Sequence, residues 1–402
     1  MKSSRLAGLA RFGQSVWYDS IGRDVLVSGK LKQLIEEDGI SGVTSNPTIF
    51  YTAISASDSY DDSIRRLAAQ GLGARQIVES LMIEDVRLAA DILRPVFDKT
   101  QARDGWVSLE VSPRWAHDRE VTVAEALRLR ELAGRPNVMI KVPATDQGVL
   151  AIRDLTALGC PVNVTLIFSL ARYRQVAESY ISGLELLLER DSAQLSASCL
   201  SRVRSVASFF VSRIDTKVDE RLQALASNKA SLPPAKTLSK SIEDDSNTSL
   251  AVALMGKTAV ATAKVAYKTF CALFSGPRWE GLQAQGASVQ RLLWASTSTK
   301  NPAYSDILYV QELIGPDTVT TLPPQTVAAF KDHGLPRETL TAGVKEAEAH
   351  LEAIARLGID LEEIAAMLEK EGLEAFRASA EALEAAVAKR AAALVGEKEG
   401  GS

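Results

Sequence analysis

Residues 138–148 read VMIKVPATDQG, and the fold turns on how this stretch is read. Val138, Ile140 and Val142 fall on one side of an extended segment, and Lys141 falls on the other. The residues that follow, Gln147–Leu158, carry apolar side chains at helical spacing, and PVNVTLIF (161–168) is extended again. A strand, a helix-length crossover and a second strand indicate parallel pairing, because antiparallel neighbours need only a short turn.

The same alternation runs along the chain. Strands are predicted at SVWYDS (15–20), SGVTSN (41–46), WVSLEVS (106–112), SVASFFVS (205–212), RLLWAS (291–296) and TVTTL (318–322), besides the two above. Helical patterning marks the stretches Asp61–Asp98, Thr122–Leu132 and Ser169–Arg190. Eight strands separated by crossovers predict an α/β fold, a (β/α)8 TIM barrel, rather than an open doubly wound sheet. Neither GxGxxG nor GxxxxGK[ST] follows any of the strands, which weakens a nucleotide-binding sheet.

Two regions stand outside the repeat. Residues 226–249 are polar, contain Pro233 and Pro234, and read as an exposed insertion. The chain is therefore divided into a catalytic barrel over 1–338 and a helical extension over 339–402. In that extension Val344, Ala347, Leu351 and Ile354 form one apolar stripe, and Phe376, Ala380, Leu383 and Val387 form another. Asp360 and Glu363 have the spacing of a capping box. Two or three extra C-terminal helices packed on the barrel are expected, one of them beginning near Gly372. A coiled-coil oligomerisation tail is the rival, and it lacks sustained heptads.

Composition narrows the function. The 402 residues carry a net charge of −4, which argues against nucleic acid and anionic membranes as partners. No apolar run approaches the roughly 20 residues of a membrane span, and the N-terminus does not read as a signal peptide. Cys160, Cys199 and Cys271 are widely spaced, and the three histidines are scattered, so neither a disulfide framework nor a metal site is expected. The expectation is a cytoplasmic enzyme without metal, either a monomer or a homodimer.

A parallel sheet covered on both faces should be apolar on both. Here the strands offer Asp19, Thr44, Asn46, Glu110, Lys141, Asn163, Thr165 and Ser208, each on the side opposite its apolar neighbours. An antiparallel sheet with one wet face would explain the alternation, but the helical segments between the strands argue against it, because hairpins need only a few residues. Single Asn, Thr or Ser residues are also common as satisfied core groups. That account fails for the set, since a lysine and two carboxylates cost several kcal/mol each to desolvate without compensation. Convergence from six strands indicates a polar site at a barrel mouth.

A partly desolvated lysine has its pKa lowered and attacks carbonyls as the free amine. The iminium so formed draws electrons from a neighbouring bond, and two carboxylates can share the proton transfers. Imine-forming carbon–carbon lyase or transferase chemistry fits this inventory. A lysine that only pairs with Glu110 or Asp19 is the alternative.

The motifs WYDSIGR (17–23), GVTSNPTIF (42–50), SLEVSPR (108–114), MIKVPATDQG (139–148) and NVTLIFSLARY (163–173) resemble the transaldolase family, in its longer bacterial branch. ASFFVSRID (207–215), WASTSTKNP (294–302) and EGLEAFRAS (371–379) continue the resemblance in the family's order over nearly the whole chain. The resemblance implies that Lys141 is the Schiff-base lysine and that Asp19 exchanges a proton with the C4 hydroxyl of the ketose. Glu110, with a water near Thr165, matches the relay for imine formation. Asn46, Asn163 and Ser208 match positions that hold a dihydroxyacetone unit, and Thr44 and Phe210 line the same pocket.

By the same resemblance Arg213 binds the sugar's phosphate. Lys300 stands where shorter relatives carry a second arginine, which keeps the charge but loses the bidentate fork. The reaction implied moves dihydroxyacetone from sedoheptulose 7-phosphate to glyceraldehyde 3-phosphate in the non-oxidative pentose phosphate pathway, with no cofactor. An aldolase releasing free dihydroxyacetone from fructose 6-phosphate is the near alternative. Phe210 argues against it, because smaller aldolases of the superfamily tend to carry a hydrogen-bonding residue there. A non-catalytic sugar-phosphate-binding barrel is the distant one.

Overall fold

Eight strands, all parallel and paired in sequence order, close into a barrel in the computed structural model, which describes residues 4–192, 200–227 and 247–396. They are β1 (Gln14–Tyr18), β2 (Ile40–Val43), β3 (Trp106–Glu110), β4 (Val138–Pro143), β5 (Val162–Ile167), β6 (Ser205–Phe210), β7 (Gln290–Ala295) and β8 (Thr318–Leu322). Each predicted strand has its counterpart, so the sequence-based (β/α)8 barrel is the fold. The predicted helical stretch Asp61–Asp98 is interrupted, with helices at Asp61–Ala69 and Ala74–Lys99. The insertion expected at 226–249 lies, for residues 228–246, outside the described residues, as does Cys199.

The alternation works as packing. Val138, Ile140 and Val142 are fully buried beneath the helical layer, as are Val107, Leu109, Val162 and Val164. Each such side chain contributes about 1.5–3 kcal/mol through removal from water. The opposite faces fill the barrel. At its lower end, where strands begin, Arg291 donates to Ser15 Oγ (2.7 Å) and pairs with Asp104 Oδ1 (3.0 Å). Asp104 also accepts from Ser15 and from Trp17 Nε1. Burial opposes the charge on Asp104, but Arg291 and these donors outweigh it and hold the carboxyl below the usual range.

Register sets the upper end. Glu110 on β3 lies beside Lys141 on β4, and Lys141 lies beside Asn163 on β5, so three polar residues share one row. The pairing of β5 with β6 slips between Val164 and Ile167, and Leu166 adopts a left-handed φ of 61° within that slip. This backbone is costly for a branched residue. The sequence alternation therefore stops one residue past Thr165.

Gly148 fixes how the next helix leaves β4. Thr145 Oγ1 accepts from Gly148 N (2.9 Å) as the N-cap of the helix Asp146–Ala157. A Cβ on Gly148 would stand 1.9 Å from the Pro143 carbonyl oxygen. Gly148→Ala is expected to cost about 3 kcal/mol in urea denaturation, because backbone rather than a flexible side chain must yield.

Two helices, Val344–Arg356 and Leu361–Gly396, follow the barrel. Asp360 Oδ1 accepts from the backbone of Glu362 (2.9 Å) and Glu363 (3.3 Å) and so starts the second one. The helix expected to begin near Gly372 therefore begins 11 residues earlier, at Leu361, because Asp360 supplies the cap, and it runs through Gly372 without a break. Its apolar stripe is buried, with Phe376, Leu383 and Val387 all under 5% exposed. Polar pairs tie it to segments after several strands: Glu384 to Arg114 (3.1 Å), Glu371 to Lys217 (3.2 Å) and Ser379 to Thr48 (2.8 Å). Among the described residues no single helix is long and apolar enough to cross a membrane.

Asp215, in the helix Ser212–Ser227, is buried, and that burial raises its pKa from 3.8 to about 6. A raised folded value favours the folded state at low pH. The contribution is full below pH 3.8 and is lost as the pH rises through about 6. Asp215→Asn is expected to flatten that slope by about 1–3 kcal/mol between roughly pH 4 and 7, read by denaturation at each pH.

Candidate active site

The strand ends carry the polar row to a cavity of about 360 Å³ at the C-terminal mouth of the barrel. Lys141 reaches it from β4 and is only 5% exposed. Its ammonium donates to the Ser45 carbonyl oxygen (3.1 Å) and lies 3.3 Å from Glu110 Oε2. That carboxylate oxygen makes no well-formed hydrogen bond, so the contact is an ion pair at close range. Burial raises the Glu110 pKa and the charge of Asp19 adds to it, while Lys141 opposes both. A carboxyl in that position holds a proton more readily than an exposed one.

Asp19 follows β1 and is anchored by its own backbone N–H to the Leu322 carbonyl (2.9 Å). Its Oδ1 accepts from Thr44 Oγ1 (2.6 Å), and Thr44 in turn is held by the Tyr18 carbonyl at the end of β1. Asn46 caps the helix Pro47–Ala56 by accepting from Ile49 N (2.9 Å), which leaves its amide NH₂ to offer to the cavity. Phe210, next to Phe168 (centroids 5.3 Å apart), gives the wall an apolar face without a hydrogen bond.

Asp19, Thr44, Asn46, Lys141, Ser208, Phe210, Arg213 and Lys300 line the cavity, as expected from the sequence. Glu110, Asn163 and Thr165 are fully buried or nearly so and are not on its wall. Asn163 donates to Ser108 Oγ (2.9 Å) and accepts from Ser208 Oγ (2.7 Å), so both ends of its amide have protein partners. Thr165 Oγ1, like Glu110 Oε2, is a buried oxygen without a hydrogen bond.

At the cavity's other side stand two cations. Arg213 opens the helix after β6, and burial lowers its pKa against the pull of Glu371. Lys300 lies in the segment after β7 and donates to Ser298 Oγ (2.7 Å). The residue is exposed as a whole, yet partial desolvation of its ammonium, and then the like charge of Arg213, draws its pKa down. Two cations that disfavour each other's charge form a site suited to an anion, which relieves both.

Phe376 was not among the predicted site residues. It comes from the terminal helix, is 4% exposed, and its ring centroid lies 5.7 Å from Lys141 Nζ. Its place in an apolar helical stripe reads as ordinary core, and nothing in that spacing says that it stands over Lys141. Ser296 on the cavity wall, with φ 56°, and the Ser45 carbonyl were likewise unmarked.

A (β/α)8 barrel whose C-terminal cavity is lined by a lysine, a carboxylate and two further cations defines an enzyme class in which chemistry sits on the strand ends. Residues 16–387 match the model of the transaldolase/fructose-6-phosphate aldolase family. The chain is 46% identical over 385 residues to a transaldolase of Acidothermus cellulolyticus, covering 96% of each. It is 45% identical over 375 residues to transaldolase 2 of Streptomyces avermitilis, covering 93% of this chain and 94% of the relative. A transaldolase of Mycobacterium tuberculosis is 42% identical over 380 residues, 94% of this chain and 95% of that one. The chain belongs to the transaldolase/fructose-6-phosphate aldolase family.

Proposed function

We propose that this enzyme transfers a dihydroxyacetone unit from sedoheptulose 7-phosphate to glyceraldehyde 3-phosphate, yielding erythrose 4-phosphate and fructose 6-phosphate. The observation that carries the reading is the buried Lys141 amine, 3.3 Å from Glu110 and on the same cavity wall as Asp19. Neutral Lys141 attacks C2 of the ketose to give a carbinolamine. Glu110, protonated more readily than usual, donates as the hydroxyl leaves as water. Thr165 Oγ1 and Glu110 Oε2, neither of which has a hydrogen bond, supply a donor and an acceptor for that water.

Asp19 takes the C4 hydroxyl proton, the C3–C4 bond breaks, and its electron pair flows into the iminium to form an enamine. Erythrose 4-phosphate leaves. The enamine carbon then attacks the aldehyde of glyceraldehyde 3-phosphate, Asp19 returns its proton to the new hydroxyl, and hydrolysis frees fructose 6-phosphate. Asn46 and Ser208 hold the hydroxyls of the three-carbon unit, beside Thr44 and Phe210. Asn163 acts at one remove, through Ser208 (2.7 Å). Arg213 and Lys300 bind the phosphate.

Transfer rather than release is favoured by Phe210, which offers no polar group to the imine. Fructose 6-phosphate turnover should depend on added erythrose 4-phosphate as acceptor. Release of dihydroxyacetone at the full rate without an acceptor would replace this reading with the aldolase one.

A further inference from the structure

The helix Ser212–Ser227 carries Arg213 at its start and, within its next two turns, two buried aspartates one turn apart. Asp219 Oδ2 accepts from Tyr304 OH (2.8 Å), and Asp219 Oδ1 accepts from Gly256 N (3.0 Å). Asp215 repeats the pattern, accepting from Tyr309 OH (2.9 Å) and Ala259 N (2.7 Å). Each carboxylate thus joins the segment after β7 to the backbone at 256–259. None of these four side chains belongs to the proposed chemistry.

What the two rungs hold is the segment that bears Lys300. Between Lys300 and Tyr304 the chain forms a tight local turn. Tyr304 N donates to Asn301 O (3.1 Å), Ala303 N to Asn301 Oδ1 (2.9 Å), and Thr299 Oγ1 to Ser305 O (2.7 Å). A turn bonded in this way moves as a unit, so fixing Tyr304 fixes Lys300. Gly256 makes the anchor close. Its φ is 69°, and a Cβ there would stand 2.6 Å from Tyr304 Cζ, so the ring lies directly on bare backbone.

A second cavity of about 200 Å³ lies behind the site, lined by Asp215, Asp219, Tyr304, Tyr309 and Lys300. Lys300 therefore stands on the wall between two cavities, facing Arg213 on one side and acidic residues on the other. Repulsion from Arg213 pushes its ammonium away, while the charge of Asp19, on the wall of the catalytic cavity, draws it in. These two pulls oppose one another, so the path of the backbone that carries Lys300 decides how far it enters that cavity.

We infer that the Tyr304–Asp219 pair is a positioning latch that holds Lys300 towards the catalytic cavity, and that it thereby sets affinity for the phosphate end of the substrate. The inference rests on the assignment of Lys300 to phosphate. Tyr304 and Asp219 act only through Lys300 and touch no substrate.

Steady-state kinetics on the full chain with phosphorylated donor and acceptor, in wild type, Tyr304→Phe, Lys300→Ala and the double variant, test it. Tyr304→Phe removes one hydroxyl and is expected to raise the KM for fructose 6-phosphate by roughly 5- to 20-fold, with kcat within about twofold. Lys300→Ala is expected to raise KM at least as much. In the double variant the tyrosine change should add less than about twofold, since its effect travels through a lysine no longer present. A Tyr304→Phe KM within twofold of wild type, beside a raised Lys300→Ala value, overturns the latch alone. So does full additivity in the double variant. An unchanged KM in Lys300→Ala overturns the phosphate assignment and the latch with it.

Discussion

Lys141→Ala is expected to abolish transfer, with a loss on the order of 10³-fold or more, because the other amine on the cavity wall, Lys300, stands with Arg213 and not beside Glu110. The decisive companion is Lys141→Arg. Were Lys141 only the counterion of Glu110, at 3.3 Å, an arginine would keep the charge and much of the activity. A guanidinium stays protonated and does not attack carbonyls, so the covalent role predicts that Lys141→Arg is as inactive as Lys141→Ala. The alanine variant should also be less stable by about 3–5 kcal/mol near neutral pH, since it leaves Glu110 buried without its partner. That loss should shrink as the pH falls. The Glu110 carboxyl, already pushed upward by burial, then takes a proton and sheds the charge that needed compensation. Coupled turnover assays and denaturation at two pH values check both halves.

Asp19→Asn is expected to lower turnover of fructose 6-phosphate by roughly 10²- to 10⁴-fold while leaving imine formation largely intact. The amide oxygen of asparagine can still accept from Thr44 Oγ1, a bond of 2.6 Å in the native site, so the local geometry survives the change. What is lost is the ability to take the C4 hydroxyl proton as the carbon–carbon bond breaks. The separation of the two steps is the informative result. Reductive trapping should yield adduct near the wild-type amount, whereas aldehyde release should fall. Equal rates of cleavage in Asp19→Asn and wild type would remove Asp19 from its assigned role.

The strands were legible because a covered barrel needs apolar residues on one side of each, and polar residues on the other side then stand out. Glu110, Lys141 and Asn163 form one row for this reason. The same signal cannot say which end of the barrel a charged residue occupies. Arg291 interrupts an apolar strand much as Lys141 does, yet it sits second in β7, among Ser15 and Asp104 at the closed end. Lys141 is fourth in β4 and opens into the cavity. Position along the strand separates a structural charge from one available for chemistry, and strand ends are what sequence places least well.

Other features leave no trace in residue type. VNVTLI alternates smoothly, so the slip at Leu166, with its φ of 61°, is invisible until the pairing with β6 is known. Phe376 belongs to an ordinary apolar stripe, and only tertiary packing sets its ring 5.7 Å from Lys141. Asp215 and Asp219 are spaced like ordinary surface acids. Their burial depends on two tyrosines that lie 94 and 85 residues away in sequence.

Borohydride reduction in the presence of fructose 6-phosphate, followed by proteolysis and peptide mass mapping, tests the central claim most directly. The account predicts a single stable dihydroxyacetone adduct on the peptide that contains Lys141, absent from Lys141→Arg. No adduct, or an adduct on any other lysine, would contradict it.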